Sequence, residues 1–357
     1  MYNRKIRKLL SFLLTLALLN PLWQGIMPER VAEAATVLKN PRTDSDGVTT
    51  WDCVYFGNYW QEDTNGDDKA DKNDAKTPIK WRVLSVDGDD AFLLADKNLD
   101  AERYNDTFTD ITWETCTMRS WLNGYGAEEN KDGKDYSNNN FFDNAFSESE
   151  QSVIRITNVV NDDNPEYGTE GGSDTSDKIY LLSISEVANL SYGFLSDDSA
   201  EDKGREVKNT AYTKKIPGVF TDVSDEYAGN GIWWLRSPGS ISSHAALLRR
   251  SGYVDREGGS THNNIIPIRP ALHINLKASS DAIPSSSWSY AGIVTSDGKV
   301  DETGLTTPTE PGSTQKPQET VKPAGTDKPS VTPTAPGTSS QYRPSNSHLL
   351  NPHIPVK

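Results

Sequence analysis

Positive charge is what these 357 residues are short of: 36 lysines and arginines stand against 51 aspartates and glutamates, a formal charge of −15. A surface so acidic repels nucleic acid, anionic lipid headgroups and anionic wall polymers, and it favours divalent cations. Nucleic acid is therefore excluded as a partner. Sulfur and imidazole are scarce too, with two cysteines and five histidines. Neither His244, His262 nor His273 falls in an H-E-x-x-H, H-x-x-E-H or C-x-x-C spacing that would hand zinc its ligands. No Gly-rich phosphate loop occurs. No apolar run reaches the roughly 18 residues that a membrane-spanning helix needs.

The longest apolar run, Leu9–Leu19, follows Arg4, Lys5, Arg7 and Lys8 and precedes Ala32-Glu33-Ala34. A basic start, a short apolar stretch and small residues at the two positions a signal peptidase reads make a secretory signal peptide over 1–34, cleaved before Ala35. A retained anchor is the alternative, and the shortness of the run speaks against it. Cleavage removes five basic and two acidic residues and deepens the charge to −18. The expected location is extracellular, secreted or at the cell surface. Outside the cell Cys53 and Cys116 are free to form one bridge; two buried thiols are the other option.

Composition breaks near residue 303. Residues 304–357 turn to Thr, Pro, Ser, Lys and Gly and cannot bury enough apolar surface to offset their ordering entropy, so a disordered stalk is expected there. The tail carries no sorting motif, so covalent wall attachment has no support. Residues 35–280 have the size and tryptophan content of one globular domain, with 281–303 as a transition segment.

Within that domain Ile79–Val86 and Ala91–Ala95, separated by Asp87-Gly88-Asp89-Asp90, predict a strand, a tight turn and a strand. Helices are predicted from Thr117 (Met118, Trp121 and Leu122 on one face), after Ser147 with Glu150 as a capping box, and from Ser183 or Ser185. Strands are expected at Lys178–Leu182, Gly231–Leu235, Ala245–Arg249 and Ile266–Leu276. The pattern is α+β: a single compact domain with short helices and a mixed, mainly antiparallel sheet. WWLRSPG (Trp233–Gly239) and IRPALHINL (Ile268–Leu276) are expected as neighbouring antiparallel strands, joined through Ser251-Gly252 or Gly258-Gly259.

Trp113–Asn123 (WETCTMRSWLN), WWLRSPG, Gly252-Tyr253-Val254 and IRPALHINL together resemble a family of bacterial extracellular domains, domain of unknown function six-two-seven-three, over roughly Trp51–Leu276. The family name implies no activity. A late W-x-R-S block, a G-x-V hairpin and a closing I-R-P strand are more distantly similar to the ends of C-type-lectin-like domains, which implies a fold and not a function. The Glu-Pro-Asn, Gln-Pro-Asp and Trp-Asn-Asp triplets of sugar-binding C-type lectins are missing, as are the late paired cysteines of formylglycine-generating enzymes.

Asp63, Asn65, Asp67, Asp71 and Asp74 fall at positions 1, 3, 5, 9 and 12 of a twelve-residue loop. Calcium needs six to eight oxygens, and this spacing suits it. The usual glycine at position 6 is Asp68, position 8 is only Ala70, and no helix pair flanks the loop. A solvated acidic insertion is the alternative.

For ligand binding the candidates are Trp233 and Trp234, Arg236 and His244. Adjacent strand residues face opposite ways, so one tryptophan can serve the core while the other offers a stacking platform. The polar runs Asn158–Ser176 and Ser240–His244 are the expected recognition loops. Arg236 and Arg269 lie in apolar strands and need carboxylates or carbonyls if they turn inward. Cys116 with His244 or His262 gives a weak nucleophile signal, and no acidic pair stands out by an apolar setting. A non-catalytic surface module recognising a carbohydrate or a protein, with calcium as an optional cofactor, is the leading expectation. A wall- or glycan-modifying hydrolase is the runner-up.

Overall fold

The computed structural model describes residues 38–220, 225–277 and 287–303; the expected signal peptide and stalk lie outside them. The chain enters through β1 (Arg42–Thr43) and β2 (Thr49–Tyr59). The predicted hairpin follows as β3 (Thr77–Asp87) and β4 (Asp90–Ala95), with Asp87 opposite Asp90 and Gly88 supplying the positive φ of 58° at the turn. Two short strands come next, β5 (Lys97–Asn98) and β6 (Asp100–Glu102).

The helices are short because their ends are written into the sequence. In α1 (Thr117–Asn123) the Cys116 sulfur accepts the Arg119 amide at 3.4 Å, and Gly124 closes the helix in the left-handed region. Next, α2 (Phe141–Ala145) is capped by Asn140, and α3 (Glu148–Gln151) by the Ser147/Glu150 box. The hairpin of β7 (Thr157–Val159) and β8 (Thr175–Asp177) leads to β9 (Ile179–Tyr180). A second capping box, Ser183/Glu186, starts the single turn α4 (Ile184–Val187). Then come β10 (Lys208–Asn209) and α5 (Ala211–Lys215), followed by β11 (Trp233–Pro238), β12 (His244–Leu248) and β13 (Val254–Ser260). The described chain ends with β14 (Ile266–Ile268), β15 (Ala271–Asn275), β16 (Trp288–Thr295) and β17 (Val300–Asp301).

The largest sheet runs β17-β16-β2-β3-β4-β15-β9, with β1 beside β2 and every pairing antiparallel. A second sheet holds β11-β12-β13, while β5 and β10 pair in parallel. The architecture is thus α+β with mainly antiparallel sheets, as the sequence predicts. Trp51, Trp81, Trp113, Trp233 and Trp234 are fully buried and tie the sheets into one apolar core. Residues 288–301, which composition sets apart as a transition segment, supply the two outer strands of the largest sheet.

Two strand expectations are corrected. The single strand expected at Ile266–Leu276 is broken at Arg269-Pro270, because proline has no amide to continue a ladder. Its first half pairs with β6 and its second with β4 and β9. The WWLRSP strand therefore has β12, not the IRPALHINL strand, as its neighbour. The Ser251-Gly252 turn exists, but it joins β12 to β13. There Gly252 sits at φ 77°, and a Cβ would come within 2.0 Å of the Asp202 carbonyl. Among the described residues no helix is long and apolar enough to cross a membrane.

Candidate functional site

The expectation that one of Trp233 and Trp234 faces solvent is corrected, since both are 0% exposed. Their strand is covered on both faces. Trp233 donates from Nε1 to the Arg205 carbonyl (3.3 Å) and carries the Arg269 guanidinium 5.0 Å above its ring. Trp234 donates to the Glu102 carbonyl (3.1 Å) and meets Tyr104 edge-on. Arg236 is equally enclosed: it pairs with Glu186, donates to the carbonyls of Leu181 (2.8 Å) and Val160 (2.9 Å), and lies over Tyr180. It holds β11 in place and offers a ligand nothing. His244 is half-buried, with its Nδ1 enclosed and without a hydrogen-bond partner among the described residues. Asn164, in the first of the two expected recognition loops, is buried and donates to the carbonyls of Pro238 (2.9 Å) and Gly239 (3.2 Å), just ahead of the second loop, and to that of Arg256 (2.9 Å). Neither tryptophan is exposed beneath the two loops.

In the acidic loop the side-chain oxygens turn to the loop's own amides. Asp63 accepts from Gly66 (2.6 Å) and Asp68 (2.7 Å), Asn65 from Asp67 (2.9 Å), Asp67 from Lys69 (2.9 Å) and Asp71 from Asn73 (2.7 Å). Asp74 accepts from Asp71, Thr64 and Asn65, and these amides, that of Asp71 foremost, hold its carboxyl below the usual range. Among the described residues no three His, Cys, Asp or Glu side chains gather as a metal-ligand set. Asp68, at the position that calcium loops give to glycine, has a φ of 65°, and Ala70 is buried.

The side-chain cluster with chemical character lies next to that loop, at β6. Asp100, Ala101 and Glu102 line a cleft of about 360 Å³. Its other walls are Met118 and Trp121 of α1, Tyr136 of the following loop, Tyr212 at α5 and Lys72 of the acidic loop. Local structure explains the placement. With Thr117 at its start, α1 turns Met118 and Trp121 to one side, one helical turn apart. Thr210 caps α5 by accepting the Thr213 amide (3.0 Å). β6 is pinned from behind by β14, by the Trp234 indole on the Glu102 carbonyl, and by the Tyr59 hydroxyl, which donates to Asp100 Oδ2 at 2.5 Å.

Electrostatics single out two carboxyls here. Burial raises Asp100 above the ordinary range, although the Tyr59 hydroxyl and the Ala101 amide stabilise its anion. Glu102 keeps exposed surface at the mouth of the cleft, but burial of its carboxyl raises it to about 7, with Asp100 and Asp106 adding repulsion. Asp106 is occupied, accepting from Lys134 (2.6 Å) and the Tyr136 hydroxyl (3.1 Å). No acidic pair stands out in the sequence; these contacts distinguish one. The visible signal is the D-x-E spacing of Asp100 and Glu102, a few residues beyond the apolar run Ala91–Ala95, which places both carboxylates on one side of a strand. What raises them is burial, and the groups packed behind β6, Tyr59 and Trp234 among them, come from far away in sequence.

The thiol alternative loses its chemistry. Both cysteines are buried and free of a bridge. Burial pushes each thiol up to about 12, leaving no thiolate to attack a substrate at neutral pH.

A model of the family described as Domain of unknown function (DUF6273) matches residues 88–276, just over half of the chain. The match takes in β6, α1, Tyr136 and α5, and leaves out the acidic loop. No curated protein and no solved structure matches the chain. The distant likeness to C-type-lectin-like domains rests on the sequence blocks alone.

Proposed function

The chain belongs to the family Domain of unknown function (DUF6273), and from that premise we propose that it is an extracellular binding module that takes a carbohydrate in the cleft at β6. One observation carries the reading: Trp121, Tyr136 and Tyr212 share a concave surface with Asp100, Glu102 and Asn139. Aromatic faces pack against the C–H side of a sugar ring, while carboxylates and an amide take its hydroxyls. A signal peptide and a stalk, both read from sequence, fit a domain that works by reach and contact.

A saccharide array followed by calorimetry tests it. Expected is saturable binding that Trp121→Ala and Tyr136→Ala each weaken at least about tenfold, as loss of an aromatic anchor does. The thermal transition of both variants should stay cooperative. Binding undiminished in both variants overturns the proposal, as does the absence of binding to any saccharide.

A second reading, a glycan hydrolase, is favoured by Glu102. A carboxyl raised to about 7 beside a second carboxyl is suited to general-acid work. Turnover of wall glycans that disappears in Glu102→Gln would establish it.

Calcium at the acidic loop is proposed on the spacing of Asp63, Asn65, Asp67, Asp71 and Asp74 and on the turn at Asp68. The loop carries Lys72 into the cleft wall, so an ion there would stiffen one edge of the site.

A further inference from the structure

We propose that a second groove, separate from the β6 cleft, binds the oxyanion group, carboxylate or phosphate, of a small hydrophilic ligand. The groove encloses about 810 Å³, room for a ligand the size of a disaccharide. Lys80, Lys97, Lys208 and Lys214 all line it. They reach it from four places in the chain: β3, β5, β10 and α5. In a chain of formal charge −15, four cations on one concave surface run against the average. Among the described residues none of the four has a carboxylate within 4.0 Å, whereas Arg82, Arg119, Arg205 and Arg236 are each paired.

Three carboxylates share the groove: Glu62, Glu302 and Asp96. The Arg82 guanidinium neutralises Asp96 at 2.7 Å. Although burial alone would raise Asp96, Arg82, Arg269 and Lys80 hold it below the ordinary range, so the wall behind it is electropositive. Arg269 adds to that field. It is fully buried, donates to the carbonyls of Ala95 (2.8 Å) and Arg205 (3.3 Å), and leaves Nη2 without a partner among the described residues.

Two neutral polar side chains of the groove are partly committed. Gln61 donates to Thr77 and Pro78 at 3.0 Å, and Asn209 accepts from Asn98 at 2.7 Å. The lysine ammoniums are left as mobile point donors on a fixed frame. The acidic envelope also limits what can arrive. A long polyanion is repelled over the whole surface, whereas a single oxyanion feels only charges within about 10 Å. A terminal carboxylate or phosphate monoester is therefore the chemistry that fits. The two sites share no lining residue and stand on either side of α5, which gives Tyr212 to the cleft and Lys214 to the groove.

The test is titration of the secreted protein with glycerol 1-phosphate, glucuronate and glucose at low salt, read by calorimetry and by backbone amide shifts. Expected is millimolar binding of at least one of the two anions, none of glucose at the groove, and weakening as salt rises. The double variant Lys97→Gln, Lys208→Gln should lose at least about fivefold in affinity with its melting temperature unchanged, and Lys97→Arg, Lys208→Arg should restore it. The ratio of the two anions assigns phosphate or carboxylate as the group recognised. No anion binding at the Lys80, Lys97, Lys208 and Lys214 amides, or equal binding by the Gln double variant, overturns the proposal. Trp121→Ala should leave anion binding intact, so failure here and failure at the cleft read separately.

Discussion

Two strands that nearly touch, β11 and β6, carry opposite lessons. WWLRSP looks like a binding surface and is sealed on both faces; Asp-Ala-Glu looks like a strand end and lines a cleft. Trp234 joins them, its indole holding the Glu102 carbonyl from behind. Large aromatics have the most to gain from burial, so a conspicuous pair inside an apolar strand is spent on the core. A carboxylate pair gains nothing from burial. Where a fold encloses one, other constraints hold it there, here Tyr59 and the β14 pairing.

The sharpest way to break this contrast is to truncate one aromatic on each side. Trp234→Ala should cost about 3–5 kcal/mol of stability, the usual range for a buried tryptophan. It removes core contacts and leaves the Glu102 carbonyl short of a donor. Trp121→Ala, at a half-exposed ring, should cost well under half of that while losing the proposed saccharide. Chemical denaturation of both, beside calorimetry, measures the difference. Equal stability losses would mean that the cleft wall is core as well.

What was legible in the sequence was local. The β3–β4 hairpin is set by Asp87-Gly88-Asp89-Asp90, and α3 and α4 by serines three residues ahead of a glutamate; each needs only neighbours in the chain to form. The break at Pro270 was equally local, since a proline inside a presumed central strand argues against one, yet the apolar run around it read as continuous. The partner of β11 was not legible, because pairing is decided between segments by packing. The raised Glu102 was illegible for the same reason: it depends on which residues 30 or 130 positions away close over it.

Glu102 provides the next test. A carboxyl raised from 4.5 to about 7 is protonated more readily in the folded state than in the unfolded one. Its contribution to stability is then most favourable below about pH 4.5 and is lost as pH rises through about 7. Glu102→Gln should therefore raise the melting temperature at pH 8 relative to the parent and change it little at pH 5. Allowing for the solvent that screens a partly open group, the gain should be on the order of 1 kcal/mol. Thermal scans across pH 4–9 measure it. A gain of the same size at both pH values would detach the effect from the carboxyl.

A smaller effect is expected at the thiols. With Cys53 and Cys116 enclosed and both pushed up to about 12, a thiol reagent at pH 8 should label neither in the native protein and both in denaturant. Labelling of Cys116 in native protein would reopen the nucleophile that the cleft reading sets aside.

The last test belongs to the acidic loop, which stands to the cleft as a self-sufficient structure stands to an open one. Its carboxylates already accept loop amides, so an ion must compete with contacts that exist without it. Calcium at ten times its dissociation constant should stabilise by about 1.4 kcal/mol, a rise of a few degrees in melting temperature for a domain this size. Asp67→Ala should abolish the rise, because Asp67 spends only one oxygen on a loop amide and has the other free. The loop also carries Lys72 into the cleft wall, so calcium should shift saccharide affinity in the same titration if the two regions are coupled. No change in melting temperature in millimolar calcium would leave the loop a self-capped acidic insertion beside the cleft.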